Sequence, residues 1–299
     1  MLGRDISDLG NSFDSKFINN SKQSIFGDTL PILSGADLLI GNLETTITTH
    51  TKRYPKMFNY RINPKYADNL KLNKNMYLSI ANNHIIDYDY KGMMDTMYNL
   101  ERLGIIFSGA GENLNKAKLH KVFTINGKRI GIFSCADHYK YWKAGPNSPG
   151  IYYVDYNNYN DILNHIKSIR PTVDVLIMSI HWGPNYQIGI DPKYEKFGKD
   201  ALKAGIDIIH GHSSHHVKCI RHNGHKLIMY GLGDFIDDYA VDEEYKNDIG
   251  MIVRVTINNN NALKVDIIPT KINDRRVNLA EKTEEKSYVY DMVQKDCKL

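Results

Sequence analysis

Leu78-Ser79-Ile80-Ala81-Asn82-Asn83-His84, continued by Ile85-Ile86-Asp87, is the stretch on which the reading of this chain turns. It begins as a short apolar run and stops at two amides and an imidazole, the pattern of a buried strand with a polar carboxyl end. Asn83 offers a neutral oxygen to a metal, and His84 offers a proton near pH 7. Asp87, one short turn on, could fix the imidazole's tautomer or raise its basicity. Ligands of α/β folds gather where strands end. Taken alone, the stretch is equally well an Asn-rich turn with one surface histidine.

Other strands end in the same chemistry. Ala36 to Glu44 is a buried-strand pattern in which Asn42 and Glu44, separated by Leu43, point to one side. Val173 to Ile180 is the strongest strand and runs into His181-Trp182-Gly183. Ile206 to Ile209 delivers His210-Gly211-His212-Ser213-Ser214-His215-His216, and Lys226 to Tyr230 ends in Gly231-Leu232-Gly233-Asp234-Phe235. Of the twelve histidines, six lie between His210 and His225. Four strand ends of metal-ligand type outweigh the reading of each as a solvated terminus. Mixed imidazole, carboxylate and amide groups suit Mn, Fe or Zn, and without thiolates they do not suit a closed structural zinc. Such ligands often hold two ions. His210 is expected in a strand and His222 and His225 at the surface; His216 is ambiguous with His215. His50, His120, His138 and His165 have no supporting context.

Between these points the spacing predicts a short helix from Thr29 to Ser34. It predicts longer helices over Lys91–Leu103, Asn158–Ile169 and Tyr194–Lys203. Asn126-Gly127 marks a hairpin, and Met251–Ile257 with Leu263–Ile268 a closing one. One domain is expected over residues 1–270, followed by a charged appendage over 271–299. The 299 residues are 42% hydrophobic and 24% charged, ordinary for a globular chain. The net charge of +4 is scattered, which argues against a nucleic-acid surface and leaves a mild attraction for anionic substrates. Three distant cysteines, Cys135, Cys219 and Cys297, predict no disulfide framework and a reducing compartment. With no signal peptide and no apolar run of ~20 residues, the chain as it stands is expected in the cytoplasm, a membrane anchor upstream of Met1 being left open.

The chain resembles the CapA family, proteins associated with poly-γ-glutamate capsule synthesis and related to calcineurin-like metallophosphoesterases. The resemblance rests on Ala36 to Glu44, Ala81 to His84 with Asp87, Ser108-Gly109-Ala110-Gly111, His181-Trp182-Gly183, Gly211 to His215 and Gly231 to Phe235, in that order from Met1 to about Asp238. It implies a four-layer α/β/β/α sandwich with a divalent-metal site at the strand ends. It implies Glu44, Asn83, His181, His212 and His215 as ligands, His84 as proton donor with Asp87 as its partner, and Asn42 and Asp234 as supporting residues. In one respect the chain departs from the family. An apolar strand ending Gly-Asp, whose Asp is a ligand, precedes the segment matching Met1-Leu2-Gly3-Arg4. The first strand is therefore expected to be missing, and one ion becomes the alternative to two. Gly27-Asp28 is a tempting replacement, discounted because it stands at an ordinary helix entry.

Two functions follow as expectations. The first is a metal-dependent hydrolase of a phosphoester or amide bond in an anionic small molecule or polymer. The second is a binding or scaffold subunit of a polymer-synthesis assembly, with a degenerate metal site.

Overall fold

The computed structural model of the chain describes the backbone of Leu2–Gly3 and residues 25–237, 239–273 and 275–295. Two sheets lie at its centre. The first is parallel, in the order β1 (Leu2–Gly3), β2 (Leu39–Glu44), β3 (Met76–Ser79), β4 (Ile106–Ser108). The second contains β5 (Lys121–Ile125), β6 (Lys128–Ala136), β7 (Val175–His181), β8 (Ile208–His212), β9 (Ile220–His222) and β10 (Leu227–Met229). Its spatial order is β9-β10-β8-β7-β6-β5, with four parallel strands closed at each edge by an antiparallel one.

The alternation of side chains along each strand sets the layers. On β7, Leu176, Met178 and Ile180 face Ile162, Ile166 and Ile169 of helix α3 (Asn160–Ile169) and Phe197 of helix α4 (Pro192–Ala204). Val175 and Ile177 face the other way, into a core shared with Ile40 and Tyr77 of the first sheet. Leu43 and Leu78 lie on the far side of that sheet, in one core with Leu33 of helix α1 (Leu30–Ser34) and Met93 and Leu100 of helix α2 (Asp89–Arg102). The result is the expected α/β/β/α sandwich. To it is added a three-stranded antiparallel sheet, β11 (Ile249–Ile257), β12 (Leu263–Asn273) and β13 (Arg276–Leu279), on which a last helix, α5 (Thr283–Gln294), rests through Val289 and Val293.

Element boundaries follow local chemistry. Asp191 caps α4 by accepting from Lys193 N at 2.9 Å, with Pro192 behind it. Asn126 and Gly127, at φ of 49° and 81°, turn β5 into β6 as a two-residue hairpin requires. At the outer edge of the first sheet Leu2 and Gly3 pair with Leu43 and Glu44, and no described residue pairs with Leu39 to Asn42 on that side.

The cysteine expectation is corrected. Cys135 is free and buried, but Cys219 is disulfide-bonded, so the cysteines give no ground for a reducing compartment. Among the described residues no helix is long and apolar enough to cross a membrane.

Candidate functional site

The site grows out of the layer between the two sheets. On each central strand the inward column is aliphatic at its amino end and polar at its carboxyl end. β2 gives Ile40, then Asn42 and Glu44; β7 gives Val175, Ile177, Ser179 and His181; β8 gives Ile208, His210 and His212. Parallel pairing aligns these ends: Ser179 stands beside His210 and His181 beside His212. A glycine between His210 and His212 is needed for this approach. A Cβ on Gly211 would lie 2.4 Å from the Met229 carbonyl and 2.6 Å from the Trp182 indole nitrogen. Ser213, at φ 109°, then bends the chain sharply, held by a 2.7 Å bond from its hydroxyl to the Gly183 carbonyl.

Glu44, His181 and His212 meet directly. His181 Nδ1 is 2.9 Å from His212 Nδ1 and 3.9 Å from Glu44 Oε2, and all three side chains are buried. Asn42 donates to Glu44 Oε2 at 2.9 Å, and Asn82 donates to Asn42 Oδ1 at 3.0 Å. His215 enters from the loop after β8 with Nδ1 2.9 Å from both oxygens of Asp234. His216 turns aside to Val217 O and to the Gln187 N–H, while His215 keeps electrostatic contact with Glu44.

Burial governs the charges here. It pushes Glu44 above the usual carboxylate range, against the pull of His215. Burial also holds His181 and His212 well below the ordinary imidazole value, a trend their neighbouring histidines reinforce. Both rings are therefore neutral, the state in which imidazole ligates metals.

Beside this group, His84 Nδ1 lies 2.7 Å from Asp87 Oδ2, as the spacing in the sequence allowed. The Tyr60 ring stacks on the imidazole at 3.9 Å, and the Tyr60 backbone N–H donates to Asp87 Oδ2 at 2.6 Å. Burial carries His84 down to about 4 although Asp87 pulls the other way.

Several neighbours were not anticipated. Lys56 brings its ammonium 2.5 Å from Asp87 Oδ1 and 3.2 Å from His84 Nδ1, donates to the Asn83 carbonyl, and packs over the Tyr139 and Trp142 rings. The His138 ring sits 4.8 Å from His181; its signal was available, since β6 runs straight into an acid and a histidine, Asp137-His138. Tyr239 lies 4.9 Å from His215, with its hydroxyl 2.9 Å from that of Tyr60. Asp28, by contrast, accepts from Leu279 N at 2.7 Å in the added sheet.

Lys56→Met should destabilise the fold by about 3 kcal/mol, the low end for breaking a buried pair, because Asp87 keeps Tyr60 and His84 as partners. Urea unfolding would measure this. A loss under ~0.5 kcal/mol would mean that the ammonium is solvated rather than locked.

The donor set fits a divalent ion. His181 Nε2 and Asn83 Oδ1 are buried without a hydrogen-bond partner, two ligating atoms that a cation would satisfy. Among the described residues no three His, Cys, Asp or Glu side chains already stand in metal-binding geometry.

Fold and site thus define a four-layer α/β sandwich with a buried histidine, carboxylate and amide cluster where its two sheets meet. Residues 1–239 match the family described as bacterial capsule synthesis protein PGA_cap, and the chain belongs to that family. It is 29% identical over 278 residues to a probable polyglutamine synthesis accessory protein of Mycobacterium tuberculosis, covering 87% of this chain and 73% of that one. It is 25% identical over 306 residues to the capsule biosynthesis protein CapA of Bacillus anthracis, covering 99% and 71%. To the PGA biosynthesis protein CapA of Bacillus subtilis the identity is 29% over 219 residues, covering 72% and 57%. Among solved structures, a hypothetical protein of Thermus thermophilus superposes with a TM-score of 0.48 at 10% identity, over 82% of this chain and 92% of the other. The NAD nucleotidase of Haemophilus influenzae gives 0.37 at 14%, over 79% and 50%.

Proposed function

We propose that this member of the capsule synthesis family is a metal-dependent hydrolase of a phosphoester or amide bond in an anionic small molecule or polymer. The observation that carries the proposal is His181 Nε2, a buried atom of ligating type without a partner in the cluster of Glu44, His181 and His212; Asn83 Oδ1 is a second buried oxygen without one. Glu44, Asn83, His181, His212 and His215 would hold one or two ions of Mn, Fe or Zn, with Asn42 and Asp234 steadying Glu44 and His215. When bound, such an ion supplies Lewis acidity and an activated water.

The chain's own groups do the rest. His84 is oriented by Asp87 and by the Tyr60 ring, which leaves Nε2 as the atom facing away from the carboxylate. At neutral pH the resting imidazole is uncharged, since burial puts it at about 4. A bound anionic substrate adds the negative charge that raises this value, so His84 gains its proton when a leaving group needs one. Tyr60 and Tyr239 wall the approach to His84 and His215. Proteins named for polyglutamine, PGA and capsule synthesis are among the relatives, which supports a polymer as substrate and a polymer-synthesis assembly as partner. The scattered charge supports no nucleic-acid role.

A scaffold subunit is the second reading, favoured by the absence of a preformed three-ligand set among the described residues. The purified chain should be assayed with Mn²⁺ on an activated phosphodiester, a phosphomonoester and a γ-glutamyl amide. Turnover lost with chelator and restored by Mn²⁺ is the expected result. Metal binding with no turnover on any of the three would move the assignment to the scaffold.

A further inference from the structure

We infer that Ser179 and His210 form a hydrogen-bond relay that fixes the tautomer of His212, keeping its Nδ1 a bare lone pair turned toward His181. The inference rests on the metal-site reading only for its consequence, not for its geometry.

Ser179 is fully buried, and its hydroxyl lies 2.9 Å from His210 Nδ1 and 3.1 Å from His212 Nε2. One hydroxyl carries one proton, so it can donate to only one of the two nitrogens, and the other must donate to it. Two arrangements satisfy this. In the first, His212 Nε2–H donates to Ser179, whose O–H donates to His210 Nδ1. In the second, every bond is reversed and neutral His212 carries its proton on Nδ1.

His181 decides between them, because its Nδ1 faces His212 Nδ1 at 2.9 Å and its Nε2 is buried without a partner. In the reversed arrangement His212 Nδ1–H donates to His181 Nδ1, which forces the proton of neutral His181 onto Nε2 as an orphaned buried donor. Buried N–H groups without acceptors are the rarest defect in folded proteins, and under-satisfied acceptors are commoner. The first arrangement leaves Nε2 of His181 as a bare lone pair instead. Its other end is also sound, since half-buried His210 can give its remaining N–H to water. His181 then presents Nε2 as a bare lone pair, and His212 Nδ1 accepts the hydrogen of His181 Nδ1 in the metal-free chain. Ser179 is thus a positioning residue, as the outer partners of metal-bound histidines generally are.

The test reads tautomers and affinity rather than turnover. In the ¹⁵N-labelled, metal-free full chain at neutral pH, long-range ¹H–¹⁵N spectra should show His212 protonated on Nε2. Ser179→Ala should lose that preference and bind Mn²⁺ about 10–100-fold more weakly by calorimetry, the usual loss for an outer partner. Ser179→Thr, which keeps the hydroxyl, should restore both. A wild-type His212 protonated on Nδ1 would overturn the relay, whatever the variants do. So would Ser179→Ala with unchanged tautomer and affinity. If the wild type takes up no Mn²⁺, the metal reading fails, and the His212 tautomer still decides the relay.

Discussion

His181→Ala is expected to strip the chain of bound divalent metal. The imidazole is fully buried, touches His212 and approaches Glu44, and carries an unpartnered nitrogen in the cluster. Removing an outer partner of a metal site typically costs ~10–100-fold in affinity, so losing a direct ligand should cost more. Elemental analysis after purification should find Mn, Fe or Zn in the wild type and almost none in the variant. Stability gives an independent reading. A ligand at 100 times its Kd stabilises the folded state by about 2.7 kcal/mol. Added Mn²⁺ should therefore raise the melting temperature of the wild type and leave that of His181→Ala unmoved. Equal, near-zero metal in both proteins, with no thermal shift in either, would end the metal-site reading.

His84→Ala should do the opposite: metal content nearly unchanged, turnover reduced by ~10²–10⁴-fold, the usual worth of a general acid or base. The deficit should shrink as the pKa of the leaving group falls, because a good leaving group needs little protonation. Asp87→Asn should give a smaller loss, since the Tyr60 ring still orients the imidazole when the carboxylate is gone. If metal and activity fell together in His84→Ala whatever the leaving group, His84 would be a ligand and the proton would have to come from elsewhere. Lys56 would then be the next group to test, as its ammonium also lies against Asp87.

Much of this was legible in the order of residues. The Met stripe read as a helix over Lys91–Leu103 is the helix Asp89–Arg102, and the isoleucine stripe before Pro171 is Asn160–Ile169. Asn126-Gly127 does turn a hairpin, and the strand ends read as polar are the ends that converge. Local backbone preference and a two- or 3.6-residue period are written in adjacent residues, so they survive without tertiary information. The pairing of His84 with Asp87 was visible for the same reason, being three residues apart in one turn.

What the sequence by itself determined is which residues share a face of one strand: Asn42 with Glu44, Ser179 with His181, His210 with His212. Only the tertiary structure decided that these faces meet, because the facing of one sheet by another depends on contacts far apart in the chain. That is why Lys56, 31 positions before Asp87 and isolated in a Tyr- and Lys-rich excursion, gave no signal, and yet its ammonium is locked against that carboxylate. It is also why Ser179 passed as strand filler. A buried serine is unremarkable until two histidines stand within hydrogen-bond reach of its single proton.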